Sequence, residues 1–160
     1  MTVTLTGFMG SGKSTAGSIL AALLGWEFID LDSYIEGKIG RSPELIIAQD
    51  GETRFRAIEA EALRDALVMH QLTGENLILA LGGGTIMTRP LRRLILEQTC
   101  CVYLKTSEEE LRERRPEGGR WDPERLPVYE QAALTVITDG KTPQEVAEEI
   151  RAKLIENKTV

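Results

Sequence analysis

The sequence predicts a single α/β domain built on a largely parallel sheet, and two observations support this prediction. Short apolar runs alternate along the 160-residue chain with longer segments in which apolar residues recur at helical spacing. The run at residues 77–81 is apolar at every position, which is typical of a parallel strand buried on both faces. Because we find no internal repeat, low-complexity tract or linker, we expect one domain over residues 1–160.

The first elements are a short strand at residues 3–6, a glycine-rich loop and an apolar helix. Residues 7–15 fit the pattern G-x-x-x-x-G-K-[ST], and strand, loop and helix together are the context in which this pattern binds phosphate rather than forming an ordinary turn. Glycines let the loop backbone curl with its N–H groups pointing inward, next to the positive end of the helix dipole. Lys13 should reach the β- and γ-phosphates of a nucleoside triphosphate, and the Ser14 hydroxyl should bind Mg²⁺. We expect nucleotide contacts from Gly10, Ser11, Gly12, Lys13, Ser14 and Thr15.

Bulk properties exclude some classes of partner. The net charge of −6 argues against a nucleic-acid partner, which usually leaves a basic footprint. The adjacent Cys100 and Cys101 fit strand residues in a reducing compartment. No signal peptide or membrane span is recognisable, so we expect a cytoplasmic protein, and we expect it to be a monomer.

Two carboxylates follow the second strand. The first helix should end at Gly25, and residues 28–31 form a short apolar strand that carries Asp30 and Asp32 near its carboxyl end. Alternation along a strand would put both on one face, at the edge where open α/β sheets bind ligands. Alternatively, Asp32 caps a helix that starts at Ser33. The strand location favours the functional interpretation.

Two helices are expected next, one from Ser42-Pro43 to about Asp50 and one from Glu52 to about residue 68. Arg56 lies near the start of the second helix. By itself it fits a surface ion pair better than a ligand clamp. His70 is expected past the helix end, as a surface residue without a role.

The apolar strand at 77–81 stops at Gly82, Gly83 and Gly84. Three glycines remove side chains where a ligand must approach the backbone, although a flexible turn is the alternative. The strand ends without an acidic residue. Asp30 and Asp32 are therefore the candidates for the Mg²⁺ shell.

The rest of the chain continues the alternation. A loop at residues 116–127 holds arginines that suit phosphate capture by a moving lid, or an ordinary charged surface. The other predicted elements are a helix over 88–98, a strand over 100–104, a helix from a capping box at Ser107 and Glu110 to about 115, a strand over 134–138, and a last helix from a capping box at Thr142 and Glu145.

Together these motifs resemble the shikimate kinase family over nearly the whole chain. The matching motifs are residues 7–15, Phe-Ile-Asp-Leu-Asp at 28–32, Gly-Glu-Thr-Arg-Phe-Arg at 51–56 with Glu59, and the glycines at 82–84. Many nucleotide kinases share the phosphate loop, whereas this combination is far more specific. The resemblance implies a three-layer P-loop kinase fold with a five-stranded parallel sheet of order 2-3-1-4-5 flanked by helices. It also implies substrate-binding helices at about 32–63 and a short lid at about 115–127.

The resemblance further implies transfer of the ATP γ-phosphate to the 3-hydroxyl of shikimate, a step toward chorismate and the aromatic amino acids. Asp32 would bind the substrate hydroxyls and orient or deprotonate the attacking one, with Lys13 on the phosphates. Asp30 would hold the Mg²⁺ shell through water, next to Ser14.

The resemblance also assigns the remaining contacts of the two substrates. Arg56 would bind the shikimate carboxylate beside the backbone of Gly82, Gly83 and Gly84. Arg125, in Arg-Leu-Pro-Val-Tyr at 125–129, resembles the family's second carboxylate arginine. Arg115 resembles the arginine that stacks on adenine, and Pro143 the proline on its other face.

The chain departs from the family at residues 120–123. Where the family carries Arg-Pro-Leu-Leu and then a further helix, this chain has Arg-Trp-Asp-Pro and no counterpart of that helix. Arg120 would replace the catalytic lid arginine, and Trp121 the apolar lid contact with substrate. The altered lid leaves two alternatives open: a kinase of another small hydroxy acid such as gluconate, and a nucleotide-binding relative without turnover.

Overall fold

Five parallel strands form one sheet in the order β2-β3-β1-β4-β5, in a computed structural model that describes residues 1–116, 121–157 and 159. The order confirms the predicted fold class. The strands are β1 (Thr2–Thr6), β2 (Glu27–Asp30), β3 (Leu77–Ala80), β4 (Cys100–Lys105) and β5 (Leu134–Ile137).

Helices cover both faces of the sheet. They are α1 (Lys13–Leu24), α2 (Leu31–Ile39), α3 (Pro43–Asp50), α4 (Glu52–Thr73), α5 (Arg89–Gln98), α6 (Glu108–Arg114), α7 (Leu126–Tyr129) and α8 (Pro143–Glu156), with 3₁₀ turns at Thr85–Met87 and Pro123–Arg125. None of the helices in these described ranges is both long and apolar enough to cross a membrane.

The sheet separates two apolar cores, which gives the three layers. Strand β3 contributes to both of them: Leu77 and Leu79 pack on the side of α4 and α5, whereas Ile78 packs on the side of α1 and α8. All three residues are fully buried. This two-sided burial explains why the strand is apolar at consecutive positions.

Local sequence accounts for most helix ends. Gly25 ends α1 in the left-handed conformation (φ +69°), and the capping box of Thr142 and Glu145 starts α8, as predicted. The box predicted at Ser107 is only half formed. Ser107 accepts a hydrogen bond from the backbone N–H of Glu110, but the Glu110 carboxylate pairs with Arg114 instead of returning to the cap.

The structure corrects the predicted positions of the two acidic residues after β2. The strand ends at Asp30, and α2 begins at the next residue. Asp30 is the helix cap, since its Oδ1 accepts a hydrogen bond from the backbone N–H of Ser33 at 2.9 Å. Asp32 lies in the first turn of α2. The prediction that strand alternation puts both carboxylates on one face is therefore wrong.

The prediction for His70 is also wrong. Helix α4 continues to Thr73, so His70 is a helical residue, and only 4% of it is exposed. Its Nε2 lies 2.7 Å from Glu27 Oε2, and its Nδ1 lies 3.0 Å from the Ala66 carbonyl oxygen. The His70 side chain thus links the end of α4 to Glu27 at the start of β2, a contact that sequence spacing does not reveal.

Candidate active site

The first of several clefts opens where β1, β2 and β3 end. It has a volume of about 420 Å³. The cleft contains both the phosphate loop and the acidic residues after β2. Its lining residues are Met9, Gly10, Gly12, Lys13, Ser14, Thr15, Asp30, Asp32, Leu81, Gly82, Gly83, Arg114 and Arg115.

The phosphate loop has the backbone that an anion requires. Gly10 and Gly12 have φ near +90°, a backbone conformation that residues other than glycine rarely adopt. The ammonium of Lys13 donates to the carbonyl oxygens of Gly7 at 2.7 Å and Phe8 at 3.0 Å. Burial lowers the pKa of Lys13 to about 8, although Asp32 and Asp30 oppose this shift. A buried ammonium on a glycine loop at a helix N-terminus fits the phosphates of ATP.

The residues expected to hold Mg²⁺ lie together at the edge of this loop. The Ser14 hydroxyl donates to the carboxylate of Asp30, whose other oxygen caps α2. A hydroxyl and an oriented carboxylate are oxygen ligands of the kind that Mg²⁺ prefers. The donor set therefore fits the ion.

Asp32 is set apart by its surroundings. Burial and the negative charges of Asp30 and Glu59 together raise the pKa of Asp32 to about 6, against the opposing charge of Lys13. A Cβ placed on Gly82 would lie 3.0 Å from Asp32 Oδ1. The glycine therefore makes room for the carboxylate at the cleft wall.

Two arginines lie beside the next two glycines. A Cβ on Gly83 would lie 3.4 Å from Arg125 Nη1, and one on Gly84 would lie 2.5 Å from Arg56 Nη2. Both arginines also line a second opening of about 660 Å³. Three consecutive glycines thus bring the backbone against Asp32, Arg125 and Arg56, three residues predicted to bind one substrate.

Sequence reasoning assigned no role to Glu59, which positions Arg56. Glu59 is 1% exposed; its Oε1 accepts from Arg56 Nη1 at 2.7 Å, and its Oε2 accepts from Thr85 Oγ1 at 2.9 Å. The available signal is helical spacing, since Glu59 follows the apolar position Ile58 and precedes Ala62 on the inner face of α4. A carboxylate on that face needs polar partners.

A smaller cleft of about 260 Å³ continues past the phosphate loop and suits the nucleotide base. Pro143 and Arg114 line it. Both Arg114 and Arg115 line the first cleft, where Arg115 packs its side chain over Gly10. Arg114 donates to the carbonyl oxygens of Gly10 at 3.2 Å and Thr138 at 3.4 Å. The stacking role of Arg115 stays a prediction, and Arg114 is the arginine that shares this cleft with Pro143.

The two residues that mark the departure from the family have different outcomes. Arg120 lies outside the described residues. Trp121 is described, and its ring lies 4.9 Å from the ring of Phe8, centroid to centroid. It also lines a cavity of about 300 Å³ with Tyr103 and Leu126. Its contact in the structure is thus with the phosphate loop, while the predicted contact with substrate remains a prediction.

Comparison with known proteins identifies the family. The family model for shikimate kinase matches residues 9–155. A shikimate kinase from Thermus thermophilus is 42% identical over 169 residues, covering 95% of this chain and 89% of the relative. One from Chlorobium limicola is 41% identical over 175 residues, covering 94% of this chain and 85% of the relative. Both alignments exceed the 160 residues of this chain, so both relatives contain residues without a counterpart here.

A solved structure is similar over almost the same extent. Shikimate kinase from Acinetobacter baumannii, in complex with shikimate, has a TM-score of 0.84 and 33% sequence identity, and the match covers 98% of this chain and 94% of the other. The chain therefore belongs to the shikimate kinase family, whose members are kinases that use ATP and Mg²⁺.

Proposed function

We propose that this cleft transfers the γ-phosphate of ATP to the 3-hydroxyl of shikimate, giving shikimate 3-phosphate. The observation that carries the proposal is the arrangement along Gly82, Gly83 and Gly84, where one acid and two arginines face consecutive glycines. Shikimate is a small acid that carries hydroxyls. Paired guanidinium groups suit its carboxylate, and an acceptor such as Asp32 suits a hydroxyl.

The residues would divide the reaction between them. ATP would supply the phosphoryl group, and Mg²⁺ held by Ser14 and Asp30 would neutralise part of the phosphate charge. Arg56 and Arg125 hold the shikimate carboxylate, which directs the 3-hydroxyl toward Asp32. The hydroxyl oxygen forms a bond to the γ-phosphorus, the bond to the β–γ bridging oxygen breaks, and Asp32 accepts or orients the hydroxyl proton. Lys13 stabilises the charge on the phosphate oxygens.

Release of ADP tests the proposal against the two alternatives. The protein is mixed with ATP and Mg²⁺, alone and with shikimate, gluconate or other hydroxy acids. We expect release that depends on shikimate. Release with gluconate alone would favour the other hydroxy-acid kinase, and nucleotide binding without turnover on any acceptor would favour the non-catalytic relative.

The state of the protein in the cell completes the proposal. We propose a cytoplasmic monomer without a nucleic-acid partner; the net charge of −6 supports the last of these three properties. Light scattering coupled to size-exclusion chromatography tests the monomer, with a mass of 17.7 kDa as the expected result.

Activity should fall on the acid side of about pH 6. Asp32 must be ionised to accept a proton, and its pKa is about 6 because burial, Asp30, Glu59 and Glu44 outweigh the opposing charge of Lys13. An ordinary aspartate would lose its charge only near pH 4. The measurement is kcat/KM for shikimate between pH 5 and 8 at saturating ATP, with circular dichroism as a control for folding. A flat profile down to pH 5 would contradict the assigned role.

Gly84→Ala should raise the shikimate KM while the protein remains folded. The new Cβ would lie 2.5 Å from Arg56 Nη2, so the guanidinium must move, whereas the backbone of Gly84 at φ −100° accepts alanine. We expect a rise of about tenfold, the effect of losing about 1.4 kcal/mol of binding free energy. Gly37→Ala in α2 is the matched control, because its Cβ would meet no described atom within 4 Å. Equal shikimate KM values for the two variants would contradict the proposal that Arg56 binds the shikimate carboxylate.

A further inference from the structure

An aromatic cluster joins the phosphate loop to the segment that carries Arg125. The ring centroid of Trp121 lies 4.9 Å from that of Phe8, Phe8 lies edge-on to Tyr129 at 5.0 Å, and Tyr129 stacks on Tyr103 at 5.1 Å. Phe8, Tyr129 and Tyr103 are each at most 1% exposed. Ring pairs at these distances add to the stabilisation from burial alone. Trp121 thus packs on a buried aromatic cluster that includes a residue of the phosphate loop.

Phe8 belongs to the phosphate-binding machinery. Its carbonyl oxygen accepts hydrogen bonds from the backbone N–H of Ser11 and from the Lys13 ammonium, both at 3.0 Å. Tyr129 and the apolar core also hold its ring, independently of Trp121. Phe8 is therefore a fixed reference point, and a residue packed on it is placed relative to the phosphates.

Trp121 is connected to Arg125 through local hydrogen bonds accepted by Asp122, the residue that follows Trp121. The Asp122 side chain accepts from the backbone N–H of Glu124 at 2.9 Å, and the Asp122 carbonyl accepts from the backbone N–H of Arg125 at 3.1 Å. These bonds form the 3₁₀ turn Pro123–Arg125. Once the Trp121 ring is fixed on Phe8, the turn fixes the backbone position from which the Arg125 side chain extends.

The other end of the segment is also attached. The Tyr129 hydroxyl donates to the carbonyl oxygen of Gly83 at 2.6 Å, and Gly83 is the glycine beside Arg125 Nη1. Arg125 therefore lies between two attachment points, Trp121 on Phe8 and Tyr129 on Gly83. Its only acidic contact within 4.0 Å among the described residues is Asp122, at the limit of that distance, so ion pairing does little to fix it.

We propose that Trp121 is a positioning residue that holds Arg125 at the correct distance from the phosphate loop, so that the carboxylate-binding site is formed before substrate arrives. The inference rests on the proposed function, since it assigns Arg125 to the shikimate carboxylate. It gives Trp121 a specific task in a chain whose lid differs from that of its family. Trp121 would thus change the affinity for substrate through Arg125, without contacting the substrate itself.

The first experiment separates positioning from general destabilisation. Trp26→Phe serves as the parent, because Trp121 is then the single tryptophan of the chain. In this parent, Trp121→Ala should raise the shikimate KM by about tenfold or more. The KM for ATP should change less than about twofold because Tyr129 still holds Phe8. Trp121→Phe should restore most of the affinity, since a phenyl ring can still pack on Phe8. Trp121→Leu keeps apolar volume without stacking and covers the case in which the alanine variant fails to fold.

A double-mutant cycle tests whether Trp121 acts through Arg125. In an Arg125→Ala background, Trp121→Ala or Trp121→Leu should cause no further rise in the shikimate KM. The same fold-rise in both backgrounds would overturn the inference, as would an unchanged KM for the single variants in a parent that turns over shikimate. A parent without shikimate turnover would instead refute the proposed function, so the two failures are distinguishable.

Discussion

Asp32→Asn is expected to lower kcat by at least about 100-fold while ATP affinity stays close to that of the unchanged protein. A positioned proton acceptor typically contributes about 10²- to 10⁴-fold to a rate, and asparagine cannot take the proton. The exchange keeps the shape of the side chain, so the packing against Gly82 is retained. The hydrogen bonds from Lys13 to Gly7 and Phe8 do not involve the Asp32 side chain, although the loss of its charge removes one of the causes that raise the pKa of Lys13.

Comparison with Asp32→Ala decides between the two roles considered for this residue. If Asp32 accepts the proton, both variants should lose activity to a similar extent. If it only orients the hydroxyl, asparagine should retain more than about a tenth of kcat, since its amide can still form a hydrogen bond. Asp65→Asn is the control: Asp65 forms an exposed pair with Lys38 at 3.3 Å, and such pairs contribute little. Single-turnover measurements and nucleotide titrations separate chemistry from binding.

Sequence periodicity was sufficient for the five strands and most of the helices, but it missed α7 and the start of α2, and it did not give the arrangement of the elements. The helix starts at Ser42 and Thr142 and the helix end at Gly25 follow from local chemistry, which is why they were predictable. Strand order is different, because each strand of a parallel sheet is apolar for the same reason. The order β2-β3-β1-β4-β5 came from the resemblance of the motifs to a family and not from the pattern of any strand.

The motifs also located the cleft better than they described its geometry. Asp30 and Asp32 were expected together, and they are, but through a helix that begins inside the motif. Glu59 and His70 show a second limit. A charged or polar residue on a helix suggests a solvated face, and only the folded chain brings Thr85 to Glu59 and Glu27 to His70. Their partners lie 26 and 43 residues away in sequence.

Consecutive arginines mark a third limit. Arg114 and Arg115 are the same residue type at consecutive positions, so the motif hardly distinguishes them. The last turn of α6 directs Arg114 toward the cleft shared with Pro143, while Arg115 packs over Gly10. The rotation at a helix end determines which of the two lies beside Pro143, and a spacing argument does not contain that rotation.

Arg125→Ala is expected to raise the shikimate KM by about 30-fold, the equivalent of about 2 kcal/mol, at the low end for loss of one member of a buried charge pair. The low end applies because 21% of the Arg125 side chain is exposed. Arg125→Lys should recover only part of the affinity, since an ammonium cannot bind a carboxylate through two parallel hydrogen bonds.

The Arg125→Ala variant should also change the pH dependence of ATP binding, which involves Lys13 in the phosphate loop. The positive charge of Arg125 is one of the causes that lower the pKa of Lys13, so its removal should move any alkaline loss of ATP binding to higher pH. Arg93→Ala is the matched control because Arg93 is 79% exposed and pairs with Glu97 on its own helix. An unchanged shikimate KM for Arg125→Ala would mean that residues 125–129 do not correspond to the family's carboxylate-binding segment. Arg56 would then be left to bind the carboxylate without Arg125.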